Sequence, residues 1–202
     1  MRKIVLWIGM SIDGFFEGPD RDISWHLVDD ELHTYFNDEL RKMSAFLGGR
    51  VTYELMEDYW PTADADPEAP APIRDFAGIW RDTPKVVFSR TLEHVGPNAT
   101  LRRDVVPEEI RALQAEPGGD MTIGGPDLAE TFRRLDLIDE YRLYVNPVLL
   151  GRGNPLFRDA DVRTSLRLVE TRTFGNGVVM LRYGRAASQG ADGRAGDVQT
   201  VV

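Results

Sequence analysis

Apolar residues come along this chain in short runs, each ending in glycine or a polar turn and most followed by a stretch with helical spacing. Ile4-Val5-Leu6-Trp7-Ile8-Gly9-Met10 is the first, so residues 3–11 read as a buried strand that leaves through Ser11-Ile12-Asp13-Gly14. Residues 15–24 contain Gly18, Pro19 and several acids and read as an exposed, mobile loop. Over 29–43, Leu32, Phe36, Leu40 and Met43 recur on one helical face, with Asp29, Asp30 and Glu31 where a helix N-terminus favours negative charge. Ala45-Phe46-Leu47-Gly48-Gly49 is a second strand ending in glycines, and Arg50 begins another helix. A proline-rich loop over 61–72 and a short helix over 73–80 lead to a third strand, Lys85-Val86-Val87-Phe88-Ser89, and Pro107 opens a further short helix.

Met121-Thr122-Ile123-Gly124-Gly125-Pro126 repeats the strand–glycine–helix pattern, the helix marked by Leu128, Phe132 and Leu135. Residues 140–146 alternate like a strand, 147–157 form a glycine-rich connection, and 167–173 with 178–183 make a hairpin around Phe174-Gly175-Asn176-Gly177. The small, polar residues 186–202 read as a disordered tail on one domain spanning 1–185. This order predicts an α/β fold of three layers, a mostly parallel sheet between helices with an antiparallel hairpin at its C-terminal end. Ligands of such sheets bind beyond the carboxyl ends of the strands. Gly48-Gly49-Arg50, Ser89-Arg90-Thr91 and Gly124-Gly125 are therefore expected on one edge.

A helix N-terminus opened by glycines presents unpaired N–H groups and partial positive charge to an anion, although Gly-Gly also serves as a plain strand-to-helix turn. Pro126 removes one donor, and Asp127 and Glu130 add negative charge, so a phosphate must lie clear of their carboxylates. Arg50 and Arg90 each follow a strand, flanked by the hydroxyls of Thr52, Ser89 and Thr91. Their planar guanidinium forks match phosphate oxygens and suit an adenosine 2′-phosphate; the alternative is a pair of surface ion pairs. Asp30 either complements its helix dipole or stands in an apolar cleft with a raised pKa, anchoring or protonating a nitrogen heterocycle during hydride transfer. Asp13 is a turn residue or a second polar contact beside the nicotinamide. Trp7 and Trp25 can wall a flat substrate, or belong to the core.

Charge and composition narrow the classes. Twenty-four Lys and Arg against 33 Asp and Glu leave a net charge of −9, which disfavours nucleic acid and anionic membrane surfaces. The absence of cysteine removes disulfides, thiolate nucleophiles and cysteine zinc sites and suits a reducing cytoplasm. None of the three histidines has the spacing of a helical metal pair, so no metal is expected. The first apolar run is superficially like a secretory signal but is short and lacks a small-residue cleavage site. Neither a Gly-x-Ser-x-Gly elbow nor a phosphate-loop Gly-Lys-Ser/Thr occurs.

Taken in order, Met10-Ser11-Ile12-Asp13-Gly14, Gly48-Gly49-Arg50-Val51-Thr52, Val86-Val87-Phe88-Ser89-Arg90, Ile123-Gly124-Gly125-Pro126 and Pro147-Val148-Leu149-Leu150-Gly151-Arg152-Gly153 resemble the dihydrofolate-reductase-like superfamily, over about residues 2–184. Within it the chain is similar to stand-alone proteins related to the reductase domain of the riboflavin-biosynthesis deaminase-reductase. The resemblance implies a cytoplasmic NADPH-dependent oxidoreductase acting on a small heterocycle, first a ribosylamino-pyrimidine and second a dihydrofolate-type pterin. A nucleotide binder without turnover on the same fold is the rival from another class. It also implies that Gly49, Arg50 and Thr52 hold the 2′-phosphate, that Ser89 and Arg90 flank the adenine end, and that Gly124-Gly125 is the pyrophosphate turn, often with a cis peptide. Asp30 is placed like the substrate-binding acid of dihydrofolate reductase. Three departures bear on substrate: Trp7 stands where riboflavin-pathway reductases carry a lysine, their Asp-Pro signature soon after the second glycine strand is not found cleanly, and the deaminase domain is absent. The family often pairs as homodimers through its C-terminal hairpin region.

Overall fold

The computed structural model describes residues 1–158 and 163–186, so the expected tail lies outside the described residues beyond Ala186. Among the described residues, ten strands and five α-helices follow one another. β1 (Ile4–Ser11) and β2 (Phe15–Glu17) precede α1 (Asp30–Leu40); β3 (Ala45–Gly49) runs into α2 (Arg50–Tyr59), and α3 (Ala71–Asp82) into β4 (Lys85–Phe88). β5 (Ala99–Arg102), α4 (Pro107–Ala115), β6 (Met121–Gly124) and α5 (Pro126–Arg134) come next. β7 (Glu140–Asn146), β8 (Asn154–Pro155), β9 (Leu166–Thr173) and β10 (Val179–Arg185) complete it.

Eight strands form one sheet in the order β5-β4-β3-β6-β1-β7-β10-β9. β5 through β7 are parallel; β10 is antiparallel to both β7 and β9. Alternation along the strands splits the core. Ile4, Leu6, Ile8, Leu47 and Ile123 face α4 and α5 through Ile110, Leu128 and Phe132. The opposite face presents Phe46 and Val87 to α2 and α3, and Tyr144 and Met180 to α1. The fold is thus the three-layer α/β architecture that the strand–helix alternation predicts. Among the described residues no helix is long and apolar enough to cross a membrane.

Several elements differ from the sequence expectation. α1 starts at Asp30 because the Asp29 carboxylate accepts the Leu32 N–H at 2.9 Å and caps it. α3 is a full twelve residues, since Pro72 falls in its first turn, where no N–H is needed. β5 and β8 are too short to carry a period. Residues 15–24 are not a loose loop: β2 pairs with β8, and Pro19–Arg21 forms a 3-10 turn. Gly153 makes the β2–β8 pairing possible, because a Cβ there would lie 2.2 Å from the Glu17 carbonyl oxygen.

Beneath α1 the sheet buries a charge network. Glu140, 2% exposed, accepts from Arg142 Nε at 2.8 Å and from Arg182 Nε and Nη2 at 2.8 and 3.0 Å. Arg142 Nη1 reaches Glu39 of α1 at 2.9 Å, and its guanidinium lies 5.1 Å from the Trp7 ring centre. Burial pushes the Glu140 pKa up, but the Arg182 and Arg142 hydrogen bonds outweigh it and bring the carboxyl down to about 2. A depressed folded pKa contributes stability above the unfolded value, near 4.5, that is lost as pH falls toward about 2. Glu140→Gln, which leaves two arginines without their carboxylate, should cost about 3 kcal/mol in urea unfolding at pH 7. The gap between wild type and variant should narrow steadily between pH 4.5 and 2; a gap that stays constant over that range would show that the carboxylate's charge is not what stabilises.

Candidate functional site

Two glycine turns lie side by side at the carboxyl ends of β3 and β6. Gly48 is in register with Gly124, and Gly49 with Phe88 of β4. Gly49 is the N-cap of α2 and Gly125 that of α5, and neither helix has a side-chain cap, so both first turns present bare N–H groups at this edge. Gly125 adopts φ 85°, and a Cβ there would stand 2.5 Å from Thr52 Oγ1. A Cβ on Gly48 or Gly124 would meet nothing within 4 Å, and both glycines line an open space behind the turns. No cis peptide occurs among the described residues; the expected cis bond at Gly124-Gly125 is replaced by the positive φ of Gly125, which redirects the chain without it. The Asp127 carboxylate bonds Arg158 Nη2 at 2.6 Å, and its side chain is exposed.

The two arginines do not converge. Arg50 bonds Glu54 one turn along α2 at 2.7 Å and borders an open cleft of about 760 Å³ between α2 and the segment after β4. Arg90 is turned away to Asp104, with 80% of its side chain exposed, and does not border that cleft. Arg21 does border it and escaped the sequence reading. It reaches the cleft from a 3-10 turn in which Asp20 and Arg21 both have positive φ (56° and 61°), a conformation a loop assigned as mobile gives no hint of. Ser89 is buried, and its Oγ accepts the N–H groups of Thr91 and Leu92 at 3.2 and 3.0 Å, which shapes the segment after β4.

An apolar cavity of about 120 Å³ lies between the sheet and α1, α2 and α3. Trp7, Leu40, Phe46, Met56, Phe76 and Trp80 wall it, and Gly48, Gly124 and Thr52 line it from the glycine-turn edge. Trp7 is therefore where a flat ligand would meet it. Trp25 is not: its indole N–H donates to the Asp22 carbonyl at 3.0 Å and its ring packs on His26. Asp30 is exposed on the first turn of α1 and does not line the cavity, because the segment before α1 lies outside it.

Asp13 is consumed as a tie between two loops. Its carboxylate accepts from Ser11 Oγ at 2.6 Å, Gly151 N at 2.7 Å and Leu150 N at 3.1 Å, and the Ser11 hydrogen bond leads in holding its pKa below the usual carboxylate value. Lys85 was not singled out, yet it is buried and lines the cavity. Its Nζ donates to the Trp80 carbonyl and sits 4.6 Å from the Trp80 ring centre, while burial pulls its pKa down against the nearby Glu57 and Asp82. His26 packs over Gly9, on the face of β1 that carries Trp7. A Cβ on Gly9 would lie 2.8 Å from His26 Cε1. Asn146 Oδ1 fixes this segment by accepting the Leu27 N–H at 2.8 Å.

Comparison with known proteins places this geometry. The model of the RibD C-terminal domain matches residues 2–180. The uncharacterized protein YyaP of Bacillus subtilis (strain 168) is 36% identical over 183 residues, covering 90% of this chain and 94% of that protein. Among solved structures, one from Shewanella sp. PV-4 named for riboflavin biosynthesis superposes with a TM-score of 0.71 at 22% identity, over 93% of this chain and 100% of the other. Dihydrofolate reductase from Enterococcus faecalis, solved with NADP(H), superposes at 0.60 and 16% identity, over 92% of this chain and 97% of its own, and shares the fold. The chain belongs to the family of the RibD C-terminal domain.

Proposed function

We propose that the protein is an NADPH-dependent reductase of a small ring compound bound against Trp7. The family and fold support a reductase-type function, and one observation carries the finer reading. Two uncapped helix N-termini, at Gly49 and Gly125, open side by side from glycine turns on neighbouring strands. That is a cradle into which a pyrophosphate fits: the Gly124-Gly125 backbone allows close approach, and the later N–H groups of the α5 first turn supply the donors. Asp127 does not oppose this, since Arg158 neutralises it away from the turn.

Arg50 would hold the 2′-phosphate. Its pair with Glu54 is exposed and worth at most about 1 kcal/mol, so exchanging that carboxylate for a phosphate costs little. Arg21 borders the same cleft and is a second candidate; Arg90 would first have to leave Asp104. Thr52 links the two halves, because its hydroxyl abuts Gly125 while it also lines the apolar cavity. The bound dinucleotide supplies a hydride; the chain aligns the ring, shields it from water and keeps the reacting carbon at the glycine-turn end of the cavity. β9 is exposed along its whole length, with Leu168 and Val169 uncovered at the sheet edge, and would pair with a second copy.

Fluorescence titration should show NADPH bound more tightly than NADH. Arg50→Ala should weaken NADPH roughly tenfold or more, as expected for a charged hydrogen bond, while NADH changes little. Equal losses for both would place the 2′-phosphate elsewhere, and failure to bind either would remove the reductase reading. Gly124→Ala should keep the melting temperature and weaken dinucleotide affinity, since its methyl enters open space on the cavity side of the turn, where the nicotinamide end would lie. Gly125→Ala should instead lower the melting temperature, by strain at φ 85° and collision with Thr52. Light scattering should give twice the 22.8 kDa chain mass; a monomer that persists at high concentration would reject the β9 pairing.

A further inference from the structure

Lysine is scarce in this chain. Of the 24 basic residues only three are lysines, at positions 3, 42 and 85, and the rest are arginines. Lys3 pairs with Glu140 and Lys42 with Glu39, both from exposed positions. Lys85 differs on both counts: it is 6% exposed, and among the described residues no carboxylate bonds it. A buried cation without a counter-charge is costly to keep.

An ammonium group carries three protons, and the surrounding chain uses one of them. That proton goes to the Trp80 carbonyl at the C-terminal end of α3, where a cation also complements the helix dipole. The rest of the helix end is served by Asn98, whose Nδ2 donates to the Arg81 and Asp82 carbonyls at 2.8 and 3.1 Å. Glu57, on the wall of a second space of about 290 Å³ that Lys85 also borders, accepts the Trp80 indole N–H at 3.0 Å and does not bond the ammonium. Two protons are therefore left over beside the cavity walled by Trp7, Phe46, Phe76 and Trp80. Burial disfavours the charged amine, and an anion arriving in the cavity would supply the partner it lacks.

Depth separates this group from the dinucleotide. Gly48 is in register with Val87 and Phe46 with Lys85, so Lys85 lies two residues below the glycine-turn row, about 7 Å along the strands. A dinucleotide held at the turns leaves Lys85 to whatever lies beyond it.

We infer that Lys85 determines substrate specificity: its ammonium takes an anionic oxygen, carboxylate or enolate, of a flat ring compound seated against the aromatic walls, and turns the opposite edge of that ring toward the glycine turns. An anion bonded in this way offsets its own burial, whereas a neutral ring leaves the ammonium protons unmatched. Reduction of the ring rests on the reductase reading. The ion pair does not, and it is measured without dinucleotide.

Selective 15N labelling of lysine in the full chain gives one ammonium signal for each of the three lysines. Lys3→Arg and Lys42→Arg assign two of them, and the signal that neither removes belongs to Lys85. Benzoate should shift that signal and leave the other two in place. Calorimetry should show benzoate bound roughly tenfold more tightly than benzamide, as a charge-assisted hydrogen bond provides. Lys85→Met should abolish this preference; because the wild-type readings need no change at position 85, a Lys85→Met chain that failed to fold would leave them decisive. Equal affinity for benzoate and benzamide, no binding of benzoate, or a shift confined to Lys3 or Lys42 would overturn the inference, as would a folded Lys85→Met that keeps the preference. Failure of the wild type to bind NADPH would sink the reductase reading and leave the ion pair standing; a benzoate-blind protein that binds NADPH would do the reverse.

Discussion

The contact between Thr52 and the backbone of Gly125 is the constraint from which the site follows. With a Cβ excluded at Gly125 by the Thr52 hydroxyl, α2 settles directly above the turn that leads into α5. The two helices rise from neighbouring strands, so this approach brings their bare N-termini to one edge and leaves the apolar cavity directly behind. Anion-binding backbone and ring-binding side chains thereby meet at Thr52, which belongs to both. A bulkier turn would separate the helices and widen the cavity.

A second constraint acts on the other side of Trp7. The indole is held between Tyr144 and Phe36, with ring centres 5.2 and 5.7 Å away, and the Arg142 guanidinium lies over it. Arg142 can be buried there only because Glu140 and Glu39 neutralise it. The carboxylates under α1 therefore do more than hold a helix to a sheet: they fix the orientation of the residue that forms the wall of the cavity. Stability and ligand shape are tied through one arginine.

How much of this was legible in the chain depended on the range of the information needed. The glycine turns were readable because Gly-Gly after an apolar run is a local signal, and the parallel sheet because strands and helices alternate. Trp7 and Trp25 were alike in sequence as aromatic candidates for a wall, and only the fold puts Trp7 on the cavity; the positions of Trp25 and Asp30 depend on where the segment before α1 lies, which Asn146 helps fix from 119 residues away. Arg90 and Arg50 stand alike in sequence, each after a strand and beside hydroxyls, and differ only in their partners; Asp104, which holds Arg90, belongs to the segment after β5, a strand too short to announce itself. Lys85 carries no local signal beyond opening the third strand, and only the C-terminal turn of α3 above it places this cation in an apolar wall, bonded to the Trp80 carbonyl.

The stacking of His26 on Gly9 carries a consequence for descent. The ring lies so close to the strand that position 9 admits no side chain while a histidine occupies position 26. In relatives, the two positions are therefore expected to change together, a residue with a side chain at the first being matched by a smaller or displaced one at the second. The family's record of substitutions at this pair would then trace how the loop over the first strand was resculpted as members took on different ligands.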